Sequence, residues 1–171
     1  MSADAAGGAR ADHGHPVLAR LLAALPDAVR ETHVRHGDAT ASVDPAELVR
    51  VMTCLRDTDG LDFEMLVDLT CVDWLGQEPR FEVVHHLYSV KRNHRVRVKA
   101  RVPEPLCEID SVAGVYPSAN WMEREVFDLY GVRFRGHPDL RRILLYEGFD
   151  GHPLRKDYPK EKRQPLVGPR N

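Results

Sequence analysis

Residues 121–159 read WMEREVFDLYGVRFRGHPDLRRILLYEGFDGHPLRKDYP, a stretch that mixes charged, aromatic and chain-breaking residues more densely than a fold alone requires. Two Gly-His-Pro triplets, at 136–138 and 151–153, are each followed within a few residues by paired cations, at 141–142 and 155–156. We interpret this stretch as a helix that packs on the domain, followed by a segment that binds the surface of another protein. The residues before it form the scaffold that presents it.

The first part of the stretch predicts a helix from about Ser118 to Tyr130. Gly131 is placed to end it, because helices often stop at a glycine in the left-handed conformation. On a helical wheel, an apolar arc faces the core and consists of Ala119, Met122, Val126, Leu129 and Tyr130. A second face carries Trp121, Arg124, Glu125 and Asp128. Arg124 and Asp128 are spaced for an ion pair between residues i and i+4.

Three carboxylates on this helix, Glu123, Glu125 and Asp128, could act as general acids or bases. Such chemistry requires one carboxyl group that an apolar pocket keeps protonated. Arg124 lies beside all three and should keep them ionised. We therefore favour a structural charge network that joins the helix to a partner over an active site.

After Gly131 the sequence predicts a turn at Gly136-His137-Pro138 and a short last strand at 142–145. The residues from 146 onward are rich in glycine, proline and charge and cannot build a core, so their order must come from the surface they lie against. We accordingly divide the chain into a disordered tail (1–15), an α+β domain (16–145) and an extended, partner-binding C-terminal segment (146–171).

The scaffold begins with two predicted helices. The first starts at Pro16 and ends before Pro26, with leucines at helical spacing. The second follows Asp44, which can cap it, with Pro45 at the first helical position and Glu47 able to reach back to the cap amide. A weak hairpin is predicted between them, around His36-Gly37-Asp38.

Three strands follow, at 63–74, 81–90 and 95–102, and the last two should pair antiparallel across Lys91-Arg92-Asn93. The expected fold is therefore α+β, a single domain with a mainly antiparallel sheet packed against a few helices. Adjacent histidines on the second strand, His85 and His86, should point to opposite faces and cannot chelate one ion.

The strand at 95–102 alternates cations with apolar residues. Arg95, Arg97, Lys99 and Arg101 should share one face, and the apolar residues should face the core. A basic sheet face can bind RNA when aromatic residues lie among the cations and stack on bases. We expect no aromatic residue on this cationic face, and we therefore favour a solvated or protein-contacting face. An RNA-binding α+β module that uses residues 95–101 and the basic C-terminal tail is the alternative.

The overall composition argues against several functional classes. The net charge of the 171 residues is −2, but residues 133–171 hold ten Lys and Arg against five Asp and Glu, which suits a basic segment that docks on an acidic surface. Three widely spaced cysteines, Cys54, Cys71 and Cys107, argue against a disulfide framework and against a zinc or iron–sulfur site. No phosphate loop, nucleophile elbow or dinucleotide fingerprint occurs. We therefore predict no catalytic, cofactor-binding or metal-binding residue.

Two further expectations concern location and a second alternative. No apolar run approaches the roughly 20 residues that span a bilayer, so if the protein works at a membrane, another chain should hold it there. A small hydrolase would remain conceivable if the fold brought Glu125 or Asp128 together with His137 or His152 in a pocket.

The sequence between residues 123 and 159 resembles one family. The resemblance is carried by Glu123 to Gly131, Phe134, Gly136 to Leu144, and Gly151 to Pro159. These motifs resemble the C subunit of bacterial NADH:quinone oxidoreductase (NDH-1, respiratory complex I), the counterpart of the 30 kDa subunit of the mitochondrial complex. The resemblance covers about residues 44–159. It departs at 146–150, YEGFD, where family members more often carry a proline and a tryptophan.

The resemblance implies a subunit of the peripheral arm of a proton-pumping respiratory-chain translocase. That complex moves electrons from NADH through FMN and iron–sulfur clusters to a quinone such as ubiquinone. The resemblance implies that this chain binds no cofactor and has no activity of its own. Its expected partners are the D and B subunits of that complex, with no nucleic acid, and membrane contact only through the complex. Its expected location is the cytoplasmic face of the cell's inner membrane.

The resemblance also implies which residues form the family signature and the subunit interface. They are Trp121, Glu123, Arg124, Glu125, Asp128, Gly131, His137, Pro138, Arg141, Arg142, His152, Pro153, Leu154, Arg155, Lys156, Asp157 and Tyr158.

Overall fold

The computed structural model describes residues 14–165 of the chain. The predicted disordered tail therefore lies outside the described residues as far as residue 13, and so do residues 166–171 of the predicted C-terminal segment. In chain order the helices and strands are α1 (Pro16–Ala24), β1 (Val29–Arg35), β2 (Asp38–Val43), α2 (Leu48–Asp57), β3 (Met65–Asp73), β4 (Phe81–Ser89), β5 (His94–Val102), β6 (Glu108–Asp110), α3 (Ala119–Tyr130) and β7 (Arg133–Arg135).

The sheet confirms the predicted α+β class. Five strands lie in the order β1-β2-β5-β4-β3, and all neighbours are antiparallel except β2 and β5, which are parallel. The predicted hairpin between β4 and β5 pairs Phe81 with Val102 at one end and Ser89 with His94 at the turn. The short strands β6 and β7 form a separate parallel pair.

The core lies between one face of this sheet and the helices. The apolar stripes of α1 and α2 predicted from helical spacing are buried there, together with the inward side chains of β2 to β5. Asp44 acts as a cap, because its Oδ1 accepts from the Ala46 amide at 3.0 Å, but it caps the short 3-10 turn that precedes α2 and not α2 itself. The expected return contact from Glu47 is wrong. Its carboxylate bonds Arg50 at 2.9 Å, because residues 45–47 form a 3-10 turn before α2 begins.

The alternation predicted for β5 is confirmed. Its four apolar side chains, Val96, Val98, Ala100 and Val102, are buried, and its four cations point to the opposite face. His85 and His86 point to opposite faces of β4 as expected, His85 fully buried and His86 half-buried. The expectation that this cationic face lacks aromatic rings is wrong. Neighbouring segments supply two rings, with Arg95 4.8 Å from the centre of Tyr88 and Arg101 5.7 Å from that of Trp74.

Helix α3 ends at Gly131 as predicted, with a left-handed φ of 77°. A side chain at this position would also collide with a neighbour, because a Cβ atom would lie 2.6 Å from the His152 ring. The predicted strand at 142–145 is wrong. The last strand is β7, and residues 142–145 form a loop whose amides bond a carboxylate instead of a neighbouring strand.

Candidate interface around helix α3

The carboxylate of Asp128 is the centre of the loop that follows β7. It is fully buried, and its Oδ2 accepts from the amides of Ile143, Leu144 and Leu145 at 2.9–3.1 Å. Arg142 adds a bond from Nη1 to Oδ1 at 3.2 Å. Successive amides that converge on one anion form a nest, and a buried charge needs such partners. One side chain of α3 thus determines the path of residues 142–145.

The predicted ion pair between Arg124 and Asp128 is wrong. Arg124 instead donates from Nε to the carbonyl of Arg141 at 3.1 Å and from Nη2 to that of Arg142 at 3.2 Å. The side chain of Arg142 takes its place at Asp128. The apolar arc of α3 is also only partly correct. Ala119 and Val126 are buried, but Met122, Leu129 and Tyr130 are half-buried, and Glu123 and Asp128 are fully buried.

The two Gly-His-Pro triplets hold the chain on α3 in similar ways. His137 donates from Nε2 to the carbonyl of Asn120 at 2.9 Å, because its Nδ1 already accepts from the Asp139 amide at 3.0 Å. His152 Nδ1 lies 2.8 Å from the carbonyl of Asp128. Each imidazole ring therefore binds a backbone carbonyl of the same helix, and each triplet places its histidine for that contact.

A second buried charge cluster surrounds Arg80, whose side chain is 3% exposed. Its guanidinium bonds both oxygens of Asp73 at 2.8 Å, Asp157 at 2.8 and 3.0 Å, and Glu104 at 2.7 Å. The amide of Lys156 also donates to Asp73 at 2.8 Å. The hydrogen bonds with Arg80 hold the pKa values of Asp73 and Asp157 below their usual range, so both carboxylates are charged.

The sequence reasoning missed Arg80, Asp73 and Glu104 altogether. The available signal was the position of the two charges: Asp73 is the last residue of β3, and Arg80 directly precedes β4. Because consecutive antiparallel strands bring the end of the first next to the start of the second, the two side chains could be expected to meet. No local pattern connects either residue to Asp157, which lies 77 positions beyond Arg80.

Residues 146–165 lie against the chain's own domain. Arg155 donates from Nε to the carbonyl of Tyr130 at 2.5 Å, and the Leu154 amide donates to the carbonyl of Leu129 at 3.1 Å. The guanidinium groups of Arg80 and Arg155 lie 4.9 and 5.0 Å from the centre of the same buried ring, Phe81. The surface that orders this segment is therefore supplied at least in part within the chain.

The buried carboxyl group of Glu123 overturns the expectation that Arg124 keeps all three helix carboxylates ionised. Glu123 accepts from Ser111 Oγ at 2.5 Å and from the Val112 amide at 2.7 Å, and its Oε2 lies 3.9 Å from His137 Nε2. Burial raises its pKa to about 7, although these two hydrogen bonds oppose the shift. Arg124 points to the loop carbonyls instead, so it does not offset that burial.

We expect the stability of Glu123→Gln to differ from that of the natural protein in a pH-dependent way. The folded chain keeps a proton on Glu123 that the unfolded chain releases above its ordinary pKa of 4.5. The free energy of unfolding should therefore fall by roughly 3 kcal/mol between pH 4.5 and 7 because of this residue. In Glu123→Gln that fall should be absent, as measured by urea unfolding at several pH values.

His85 should contribute a pH dependence of the opposite sign, and the variant His85→Leu tests it. Burial lowers the pKa of His85 to about 4, although a backbone contact with Val98 opposes the shift. The unfolded chain gains a proton here below pH 6.5 that the folded chain excludes, so the natural protein loses stability as pH falls from 6.5 to about 4. His85→Leu should remove this loss. If the stability of a variant changed with pH in parallel with that of the natural protein, the pKa assigned to the replaced group would be contradicted.

The seventeen predicted interface residues divide into two sets. Buried or half-buried ones form contacts inside the chain: Glu123, Arg124, Asp128, Gly131, His137, Arg142, His152, Pro153, Arg155 and Tyr158. Exposed ones are Trp121, Glu125, Pro138, Arg141, Leu154, Lys156 and Asp157. Two of these also form contacts inside the chain, since Asp157 bonds Arg80 and the Lys156 amide bonds Asp73. Within the first set the structure brings together two groups, one around Asp128 and one around Glu123 and His137.

The geometry disfavours the hydrolase alternative. Asp128 is fully buried with both oxygens hydrogen-bonded, and His152 contacts its backbone carbonyl and not its carboxylate. His137 lies near Glu123, and Glu125 is exposed. In the described part of the chain, no three His, Cys, Asp or Glu side chains are grouped so that they could hold a metal ion. Over the same residues, no helix has the length and apolarity to cross a membrane.

Comparison with known proteins connects this architecture to one family. Residues 41–164 match the profile of the family described as "Respiratory-chain NADH dehydrogenase, 30 Kd subunit". The C subunit of the NADH-quinone oxidoreductase of Paramagnetospirillum magneticum is 55% identical over 140 residues, which cover 81% of this chain and 70% of that protein.

Two solved structures share the fold. The trypsin-resistant fragment (1–134) of Nqo5 has a TM-score of 0.63 and 29% identity, and the match covers 72% of this chain and 99% of the fragment. A chain of the membrane-bound sulfane sulfur reductase, an archaeal respiratory membrane complex, has a TM-score of 0.75 and 26% identity over 88% of each chain. The resemblance seen in the sequence is thus confirmed, and the chain belongs to the family of the 30 kDa subunit, or C subunit, of respiratory-chain NADH-quinone oxidoreductase.

Proposed function

We propose that this chain is a structural subunit of a complex that passes electrons from NADH through FMN and iron–sulfur clusters to quinone and couples this transfer to proton transport. The chain itself binds none of these groups and performs no chemistry. It lies on the cytoplasmic face of the inner membrane and holds in place the subunits that form the quinone site, chiefly the D subunit and also the B subunit. Membership of the 30 kDa subunit family supports this proposal.

The observation that carries the interface proposal is an exposed tryptophan on an ordered support. Trp121 is 71% exposed at the start of α3, and the following loop, attached to that helix, exposes Leu144 by 61%. Exposed apolar side chains that lie together in one patch are typical of binding sites, and we propose that Trp121 and Leu144 belong to such a patch. Trp and Arg are also enriched among the residues that dominate binding energy, and Arg141 lies exposed in this loop.

The internal contacts also determine how the interface can be tested. Removing residues 146–171 would take Asp157 and the Lys156 amide away from the buried Arg80 cluster. Truncation would therefore unfold part of the domain and could not distinguish lost folding from lost binding. A substitution of an exposed side chain avoids this problem.

We expect Trp121→Ala to weaken binding of the D subunit by about 2 kcal/mol or more, close to a thirtyfold loss, because it removes a large apolar contact. The amount of the D subunit that co-purifies with a tagged chain measures this loss. The matched control is Val90→Ala, which truncates a 58% exposed side chain in the turn between β4 and β5. Both variants should have the same melting temperature as the natural protein. Recovery of the D subunit at the natural level with Trp121→Ala would contradict the proposed surface.

A further inference from the structure

The outward face of β5 carries a row of cations that the chain itself leaves largely without counter-charge. Lys99 pairs with Glu82 at 3.2 Å. Among residues 14–165, Arg95, Arg97 and Arg101 have no carboxylate within 4 Å. Alternate residues of a strand are about 6.6 Å apart, so these groups form a straight row of positive charge.

The three arginines are held in place by uncharged groups. Arg95 stacks on Tyr88, and Arg97 donates to Thr40 Oγ at 3.3 Å. Arg101 lies near Trp74 and already donates from Nε to the carbonyl of Pro79 at 3.0 Å, so it has fewer free donors than the other two. A guanidinium has five N–H donors, and within the described residues Arg95 uses none of them and Arg97 one in hydrogen bonds. Stacked, planar arginines lose little further freedom when they bind a carboxylate with two parallel hydrogen bonds.

Arg95 and Arg97 line a groove of about 240 Å³. Asp38 and Asp68 line it together with His86 and the half-exposed Val67. A groove of this size holds one or two side chains of a passing segment. The neighbouring Met65, 47% exposed, extends its apolar side, so the face offers apolar contact as well as charge.

The same features decide between two classes of partner. Side chains on one face of an extended peptide repeat at the spacing of the arginines, about 6.6 Å. A phosphate backbone could follow such a row as well, but it offers no apolar side chain for the groove beside Val67. Single-strand binding also relies on free aromatic rings, whereas Tyr88 is covered by a guanidinium.

We propose that this outward sheet face is a docking surface for an extended acidic segment of another protein chain. The segment lies along β5 with its carboxylates on Arg95, Arg97 and Arg101, and an apolar side chain enters the groove beside Val67. This contact is independent of the surface around Trp121, so either proposal can fail without the other.

The experiment uses the carbodiimide EDC, which joins an amine to a carboxylate only when the two are in contact. Arginine does not react, so Arg95→Lys and Arg97→Lys keep the positive charge and each introduce a reactive amine. The tagged full-length chain is produced in its own host, membranes and soluble fraction are treated with EDC, and products are identified by mass spectrometry. Arg133→Lys on β7, also exposed, is the matched control. The Lys99–Glu82 pair should crosslink in every sample and report that the reagent reaches this face.

The expected result is an amide between the introduced lysine and an Asp or Glu of another protein, absent from Arg133→Lys. In the charge-reversed variant Arg95→Glu/Arg97→Glu, the same protein should no longer co-purify. A Lys99–Glu82 product without any intermolecular amide would overturn the proposal. Salt-sensitive binding of a fluorescent poly(U) RNA that Arg95→Glu/Arg97→Glu abolishes, again without an intermolecular amide, would assign the face to nucleic acid and equally overturn it.

Discussion

Arg80→Leu should destabilise the chain by about 3–5 kcal/mol, the usual effect of removing one partner from a buried ion pair. Asp73, 3% exposed, would be left in the interior with its charge and without the guanidinium that bonds both of its oxygens. Asp157 would lose its contact as well, so residues 146–165 should detach more readily. Chemical denaturation measures the first effect, and the rate of proteolytic cleavage within residues 146–165 measures the second.

A double variant identifies the cause of the destabilisation. In Arg80→Leu/Asp73→Asn the buried charge is gone, while the asparagine oxygen can still accept from the Lys156 amide. This variant should be clearly more stable than Arg80→Leu alone, which is a favourable coupling in a double-mutant cycle. Glu104→Gln is the control and should cost under about 1 kcal/mol, because its side chain is half-exposed. Equal stability of the double and single variants would show that the isolated charge is not responsible.

Asp128→Ala should be comparably damaging. It removes the buried acceptor of three partly buried amides and of Arg142 in one step, and a fully buried donor left unsatisfied costs about 1–3 kcal/mol, which is the upper bound for each of these amides. Asp128→Asn should be less harmful, because one amide oxygen can still accept. Hydrogen exchange at Ile143, Leu144 and Leu145 should become fast in Asp128→Ala and intermediate in Asp128→Asn.

The control for this series is Glu125→Ala, an exposed carboxylate on the same helix. It should change the free energy of unfolding by under about 0.5 kcal/mol and leave exchange at 143–145 unaltered. If those three amides stayed protected in Asp128→Ala, the loop would be held by something other than this carboxylate. The same loop carries Leu144 and Arg141, so Asp128→Ala should also disturb the proposed surface for the D subunit.

The elements predicted correctly are those that neighbouring residues determine. Alternation at 95–102, helical spacing at 48–55 and the caps Asp44 and Gly131 depend on contacts within one or two turns of chain. The prediction failed at residues 142–145, whose apolar run suits a strand. A strand needs a neighbour to accept its amides, and here the buried carboxylate of Asp128 accepts them.

The sequence predicted which residues belong to the candidate interface, but it did not predict the contacts that each of them makes. The spacing suggested that Arg124 pairs with Asp128. Two residues four positions apart on a helix form an ion pair, however, only if no better partner approaches. The loop supplied carbonyls for Arg124 and a guanidinium for Asp128. Glu123 was expected to be charged because of its sequence neighbour, but its pKa is determined by burial beneath Ser111 and Val112, which a helical wheel does not show.

By itself, the sequence determined the class of fold, the bounds of most helices and strands, and the family, because hydrophobic periodicity and sequence motifs are local properties of the chain. Only the tertiary structure decided that residues 121–159 first serve to bind the chain to itself. Arg80 and Asp73 lie at the ends of neighbouring strands, whereas Asp157 comes from a segment 77 positions beyond Arg80, and burial decides which charges need each other. Trp121, 71% exposed on the same stretch, remains for the contact with a neighbouring subunit that we propose.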